Sequence, residues 1–212
     1  MREIIEKWTT ANGLKVTAEQ YATLEAYKAR VLEVNQHMNL TRITETADFA
    51  VKHVIDSLTL LPYIGQGASV IDIGTGAGFP GMVLKIMRND IKLTLLDSLR
   101  KRVNFLQETA DILNLPDIEC THSRAEDRAK THGSAYDICT ARAVASMDKL
   151  AAYALPLVKK GGLFLAMKGN DITEELENAK PTIKKHRGKV ESVKSVKIVG
   201  VLTHTIVIIR KI

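Results

Sequence analysis

The chain has 212 residues, 45% of them hydrophobic, and carries a net charge of +6. That length supports one large α/β domain, or one domain with a small appendage. No apolar run reaches the about 18 residues that a membrane-spanning helix needs, the first residues lack a secretion signal's apolar stretch, and Cys120 and Cys139 alone supply neither a disulfide framework nor a zinc site, so a reducing cytoplasm is the expected setting.

In chain order, residues 2–8 and 17–38 read as helices. Thr17 followed by Gln20 forms a capping box. Tyr21, Leu24, Tyr27, Val31, Val34 and Met38 then recur at helical spacing. A third helix is expected from about residue 46 to 61. Residues 1–66 are therefore predicted to be a small helical region, and 67–212 a second unit. There, strands at 69–74, 92–97, 118–123, 136–141 and 162–169 alternate with helices at 80–88, 100–114, 147–158 and 172–185. The segment 124–127 reads as a turn. Such alternation predicts a parallel sheet with right-handed crossovers. Two further strands, 190–199 and 204–210, are joined too closely for a parallel crossover and must form an antiparallel hairpin at one edge.

The stretch DIGTGAGFPG, residues 72–81, fits two patterns. Gly76-x-Gly78-x-x-Gly81 matches a dinucleotide fingerprint. That register would bury Asp72 and Gly74 inside a strand. Pro80 would also remove an N–H from the helix end that should face a pyrophosphate. In the other register the strand ends at Ile73, Pro80 takes the first helical position, and Gly74, Gly76 and Gly78 shape the turn. An acidic Asp72 beside the site suits a cofactor bearing ammonium and sulfonium charges, as S-adenosylmethionine does. Asp97 ends the second strand, where an acidic side chain accepts hydrogen bonds from a ribose diol. Glu126 and Asp127 follow the third strand, where an adenine is expected.

The last 33 residues hold nine Lys and Arg against one Glu, which accounts for the whole positive excess. Such a field favours a polyanion such as nucleic acid. Lys184, Lys185 and Arg187, with Lys194 and Lys197 beyond, are the candidate phosphate contacts. His37 and His53 lack the partners of a metal site, and none is expected. His53 and Asp56 share a helix face and suggest a hydrogen bond between the two regions. Cys139 lies within a strand rather than an activating loop, which argues against a thiolate nucleophile.

DIGTGAGFPG, LLDSLRKRVNFL, HSRAED, YDICTARAVASMDKL and LFLAMKG, preceded by HMNLTRIT and HVIDSL, resemble the bacterial glucose-inhibited division protein B family over roughly residues 35–169. The resemblance implies a Rossmann-like class I methyltransferase fold: a seven-stranded, mostly parallel sheet with an antiparallel C-terminal hairpin strand, plus the helical N-terminal region. It implies methyl transfer from S-adenosylmethionine to N7 of one guanine in 16S ribosomal RNA, in the decoding-region loop. By position it places the cofactor at Gly74 and Phe79, at Asp97, Ser98 and Leu99, at Ala125 and Glu126, and at Arg142. Phe79 and Pro80 would form the edge where a flipped guanine meets the methyl group. Guanine N7 has a lone pair and no proton, so no general base is expected and no residue is assigned as catalytic. The partner is 16S ribosomal RNA or the small subunit, and nothing demands more than a monomer. The alternatives are a methyltransferase for another RNA or a small molecule, a non-catalytic RNA-binding module on the same fold, and, more distantly, a nicotinamide dehydrogenase.

Overall fold

Apolar side chains alternate sides along the strands, and both sides are covered. Val70, Leu93, Leu95, Ile138, Leu165, Ile206 and Ile208 enter one core, whereas Ile71, Ile73, Leu96, Cys139, Phe164, Val207 and Ile209 enter another. This is why the strands read as continuous apolar runs rather than as alternating ones. The computed structural model describes residues 1–142, 144–169, 171–198 and 202–212.

Among these residues, β1 (Ser69–Ile73), β2 (Lys92–Asp97), β3 (Ile118–His122), β4 (Tyr136–Arg142), β5 (Val158–Lys168), β6 (Gly188–Ile198) and β7 (Leu202–Lys211) form one sheet in the order β3-β2-β1-β4-β5-β7-β6. The β1–β5 pairs are parallel, and β7 runs antiparallel to both β5 and β6. The expected hairpin is present, with β7 inserted against β5 and β6 left at the edge. The turn expected at residues 200–203 falls partly outside the described residues, and β7 already begins at Leu202.

The first core is roofed by α1 (Arg2–Ala11), α2 (Ala18–Met38), α3 (Thr46–Phe49), a π-helical segment (Ala50–Ile55), α4 (Asp56–Leu58), α5 (Gly81–Met87) and α6 (Arg100–Ile112). The Thr17–Gln20 capping box forms as expected, and the same Gln20 side chain donates to Met87 O at 3.1 Å. The N-terminal helices thus share their core with the sheet. On the other face lie α7 (Ala125–His132), α8 (Met147–Ala154) and α9 (Thr173–Lys185).

Several expectations change. The helix expected at 46–61 is interrupted by the π-helical turn. RAED opens α7 rather than forming a turn, with Glu126 and Asp127 favourably placed in its first helical turn. The fifth strand starts at Val158, because Gly161 at φ 82° lets the strand continue through a pair of glycines that reads as a break.

β1 ends at Ile73, as the second glycine register requires. Gly74, Gly76 and Gly78 then take φ of 65°, 61° and 101°, conformations open mainly to glycine. Pro80 sits one residue before the place expected of it, as the N-cap of α5. A Cβ at Gly78 would stand 2.5 Å from Tyr27 Oη and 2.6 Å from Met82 Cγ, whereas one at Gly76 would meet nothing within 4 Å. Gly78→Ala is therefore expected to cost about 2–5 kcal/mol by overpacking and strain, and Gly76→Ala only about 1–2 kcal/mol of backbone strain. Urea midpoints of the two variants check the difference.

Candidate functional site

The glycine loop is held from behind. Asp72 is fully buried, and its carboxylate accepts from the Thr75 hydroxyl at 2.6 Å, Gly81 N–H at 3.0 Å and the Thr140 hydroxyl at 3.0 Å. Burial pushes its carboxyl up to about 6, against the pull of these hydrogen bonds. The expectation of an acid beside the cofactor thus becomes an internal fastener between β1, β4 and the start of α5. Tyr27 fastens the loop from the other side, donating to Ala77 O at 2.6 Å.

In front of the loop, Gly74, Asp97, Ser98, Ala125 and Glu126 line one cleft. Asp97 is buried at the end of β2. Its Oδ2 accepts Gly76 N–H at 3.0 Å and lies 3.5 Å from Arg102 Nη1, while Oδ1 accepts Leu99 N–H at 2.9 Å. These bonds orient the carboxylate and leave lone pairs for a diol. Ile73, Leu96, Val144 and Tyr153 supply apolar wall to the same cleft. Val144 and Leu99, the latter 52% exposed, belong to the few large apolar side chains left in solvent. Val144 also packs so close to Gly74 that a Cβ there would lie 2.7 Å from it. Two carboxylates, the Ser98 hydroxyl and an apolar slot fit S-adenosylmethionine in chemistry.

The other expected cofactor residues are not in the lining of this cleft. Gly76 and Leu99 are joined to it through their N–H bonds to Asp97. Gly78 is buried. Phe79 is only 4% exposed. Its ring stacks on His53 (centroids 4.1 Å apart, planes 11° apart) and meets Tyr27 and Phe49 edge-on or tilted. The Phe79 ring is thus part of the core and presents no free face to a base.

Arg142, the last residue of β4, lines a second cavity of about 430 Å³ together with Lys52, His53, Asp56, Met167 and His204. Its Nη1 donates to Lys52 O at 2.8 Å and Asp56 Oδ2 at 2.9 Å, and its Nη2 to His53 Nδ1 at 3.1 Å. The guanidinium also lies 5.2 Å from the centre of the Phe79 ring. The π-helical turn contributes here: Asp56 N–H reaches back to Val51 O and His53 O, and Lys52 O accepts from Arg142. Asp56 Oδ1 also lies 2.8 Å from His204 Nδ1 on β7. The expected His53–Asp56 link between the helical region and the sheet is therefore present, with Arg142 and His204 as its far partners. Tyr153 and His204 lie outside the motifs and reach their walls through the fold, and Val144, although inside YDICTARAVASMDKL, was not singled out there.

His53 Nδ1 accepts from Arg142, so the ring proton is on Nε2, 2.8 Å from Thr41 Oγ1. Burial, then the Arg142 charge, lowers the ring's pKa to about 3. Burial likewise raises the Cys139 thiol well above its ordinary range, which removes it as a nucleophile.

Lys184, Lys185 and Arg187 lie far from either cavity. Gly188 begins β6 opposite Lys211, at the amino end of the parallel strands, and the glycine loop leaves their carboxyl end. The separation along the strands is roughly 20 Å. Lys194, opposite Ile206, which in turn faces Met167, lies toward the carboxyl end with Lys197.

A family model described as rRNA small subunit methyltransferase G matches residues 20–204. A ribosomal RNA small subunit methyltransferase G of Clostridium botulinum (strain Loch Maree / Type A3) is 45% identical over 205 residues, 94% of this chain and 86% of that protein. One of Clostridium perfringens (strain SM101 / Type A) is 42% identical over 99% of this chain and 90% of its own length. Solved structures share the fold at low identity. A SAM-dependent methyltransferase from Aquifex aeolicus has a TM-score of 0.57 and 14% identity over 87% of this chain and 98% of its own. M. jannaschii TYW2 in complex with AdoMet has a TM-score of 0.58 and 15% identity over 81% and 80%.

The His53 geometry carries a pH signature. The unfolded ring takes up a proton near pH 6.5 and the folded ring only at about 3. The unfolded state therefore binds more protons between those values, and the stability from burying a neutral His53 is lost as pH falls through that window. His53→Gln is expected to flatten this part of the stability profile, read as thermal midpoints of both proteins from pH 7 to 4.

Proposed function

The chain belongs to the rRNA small subunit methyltransferase G family, and from that premise we propose that it transfers a methyl group from S-adenosylmethionine to 16S ribosomal RNA of the small subunit. The observation that carries this reading is the single cleft joining Gly74, Asp97, Ser98, Ala125 and Glu126 in front of a glycine loop fastened by Asp72. In it, Asp97 would hold the ribose, Ser98, Ala125 and Glu126 the adenine side, and the loop from Gly74 to Gly78 the remainder. When bound, S-adenosylmethionine supplies an electrophilic methyl on a sulfonium.

The finer reading is N7 of one guanine in the decoding-region loop. That atom has an in-plane lone pair and no proton to remove, so the chain's task is to orient the base and exclude water. Well-aligned reactants are worth on the order of 7–11 kcal/mol. The Arg142 cavity is the better candidate for the base: Arg142 follows Ala141, the ladder partner of Ile73 in the cleft wall, and its neighbours are tied to one another. Neutral His53, ion-paired Asp56 and Arg142 hold one another in place. With the Phe79 ring covered by His53, the base is received by this cavity rather than by the ring.

RNA loops are the usual targets of such enzymes, because an unpaired base reaches a pocket at lower cost. Lys184, Lys185 and Arg187, at the far end of the sheet, are available to phosphates distant from the target nucleotide. The same reading has a monomer working in the bacterial cytoplasm without a metal. Residues 1–66 would close the base cavity, since they supply Lys52, His53 and Asp56. Among the described residues no helix is long and apolar enough to cross a membrane.

Two experiments test this. Asp97→Asn keeps one acceptor oxygen, for either Gly76 N–H or Leu99 N–H but not both, and removes the charge. It is expected to weaken S-adenosylhomocysteine binding about 10–100-fold, the worth of a charged hydrogen bond; calorimetry showing an unchanged dissociation constant removes the ribose assignment. Labelled S-adenosylmethionine incubated with small subunits and with protein-free rRNA is expected to yield N7-methylguanine at one site. No incorporation into either substrate refutes the function.

A further inference from the structure

A groove of about 650 Å³ runs between α1 and the edge strand β6, lined by Lys7 and Trp8 from the helix and Val196 and Lys197 from the strand. Trp8 is half-buried, resting on the margin of the first core with the rest of its ring open to the groove. Lys7, Lys194 and Lys197 are exposed and have no carboxylate within ion-pair distance among the described residues. Lys194 Nζ sits 5.2 Å above the Tyr63 ring. Glu3 is the acid in the lining and leaves the balance basic.

The groove adjoins the Arg142 cavity. Val196, in the groove wall, is the direct β-ladder partner of His204, in the cavity wall. Directly opposed residues on neighbouring strands project to the same face of the sheet, about 5 Å apart. α1 also packs on the π-helical segment that brings Lys52 and His53 to the cavity. A strand whose base enters the cavity therefore has its neighbouring nucleotides above β7 and β6, within reach of the groove.

An aromatic face among unneutralised lysines is the chemistry of single-stranded nucleic acid binding, with bases stacking on the ring and phosphates meeting the ammonium groups. We propose that the groove between α1 and β6 binds the RNA strand next to the target nucleotide, with one base stacked on Trp8 and phosphates paired to Lys7, Lys194 and Lys197. The inference rests on rRNA being the substrate and adds the path of the strand across the protein.

Trp8 is the chain's one tryptophan, so its emission reports on the groove alone. The full chain is titrated with protein-free small-subunit rRNA, and Trp8 emission is followed alongside binding and methyl transfer. Emission is expected to be quenched to saturation in step with binding. Lys7→Gln and Lys197→Gln, both surface changes, are expected to lower the slope of log affinity against log salt by about 1 each and to raise KM for rRNA while kcat and S-adenosylhomocysteine affinity hold. RNA that binds and is methylated with Trp8 emission unchanged and KM unaltered in both variants overturns the inference and leaves the function standing. Emission that changes with protein concentration before RNA is added assigns the groove to a second copy and also overturns it. A chain that neither binds nor methylates rRNA removes the functional reading itself, and this inference with it.

Discussion

One buried carboxylate sets the geometry on which the site depends. Asp72 occupies the interior side of β1 and takes three hydrogen bonds: from the loop at Thr75, from the start of α5 at Gly81, and from β4 at Thr140. A buried charge without partners is costly, and with three donors it becomes a specific junction. The junction fixes where β1 ends, and with that which glycines turn and which peptide groups face outward. Gly81 fits this place because a side chain there would collide with Leu95 and the Asp72 carboxylate. Asp97 then completes the loop from the front by accepting Gly76 N–H. The two aspartates lie at the carboxyl ends of neighbouring parallel strands and divide the work, one inward for structure and one toward the cleft.

A second fixed point is the arginine in the wall of the other cavity. Arg142 leaves β4 toward the helical region and is held by Lys52 O, His53 and Asp56, with Phe79 beneath it. That cavity is therefore built jointly by the first 66 residues and by the sheet. This gives the N-terminal helices a functional reason to share the sheet's core. The π-helical turn belongs to the same device, since it presents Lys52, His53 and Asp56 together toward β4. Such turns often occur at functional sites.

Much of this was legible in the sequence, and the limits have physical causes. The strand end at Ile73 followed from the cost of a charge and a glycine inside a strand. The antiparallel hairpin followed from a connection too short to cross over. Asp97, Ser98, Ala125 and Glu126 converge because strand ends in a parallel sheet point to one edge, which a sequence can show. What it could not show was depth. Phe79 is expected at the edge that meets the guanine, yet the loop folds its ring inward under His53. Asp72 looked like a ligand-facing acid, yet pleating turned it to the interior. The basic tail showed its sign but not its direction along β6, so Lys184, Lys185 and Arg187 were read together with Lys194 and Lys197, although the strand carries the two groups toward opposite ends. Tyr153 and His204 carry no local signal, since only the packed sheet brings them to their walls.

Asp72 and Asp97 thus hold separate posts, the first fastening the loop and the second facing the cofactor cleft, with Arg142 and its partners beyond them. A crystal structure with bound S-adenosylhomocysteine tests this division most directly. The ribose hydroxyls are predicted to lie against the Asp97 carboxylate while Asp72 keeps its bonds to Thr75, Gly81 and Thr140. An adenosine found instead in the Arg142 cavity, or an Asp72 carboxylate freed from those partners and turned to the ligand's ammonium group, would contradict the account.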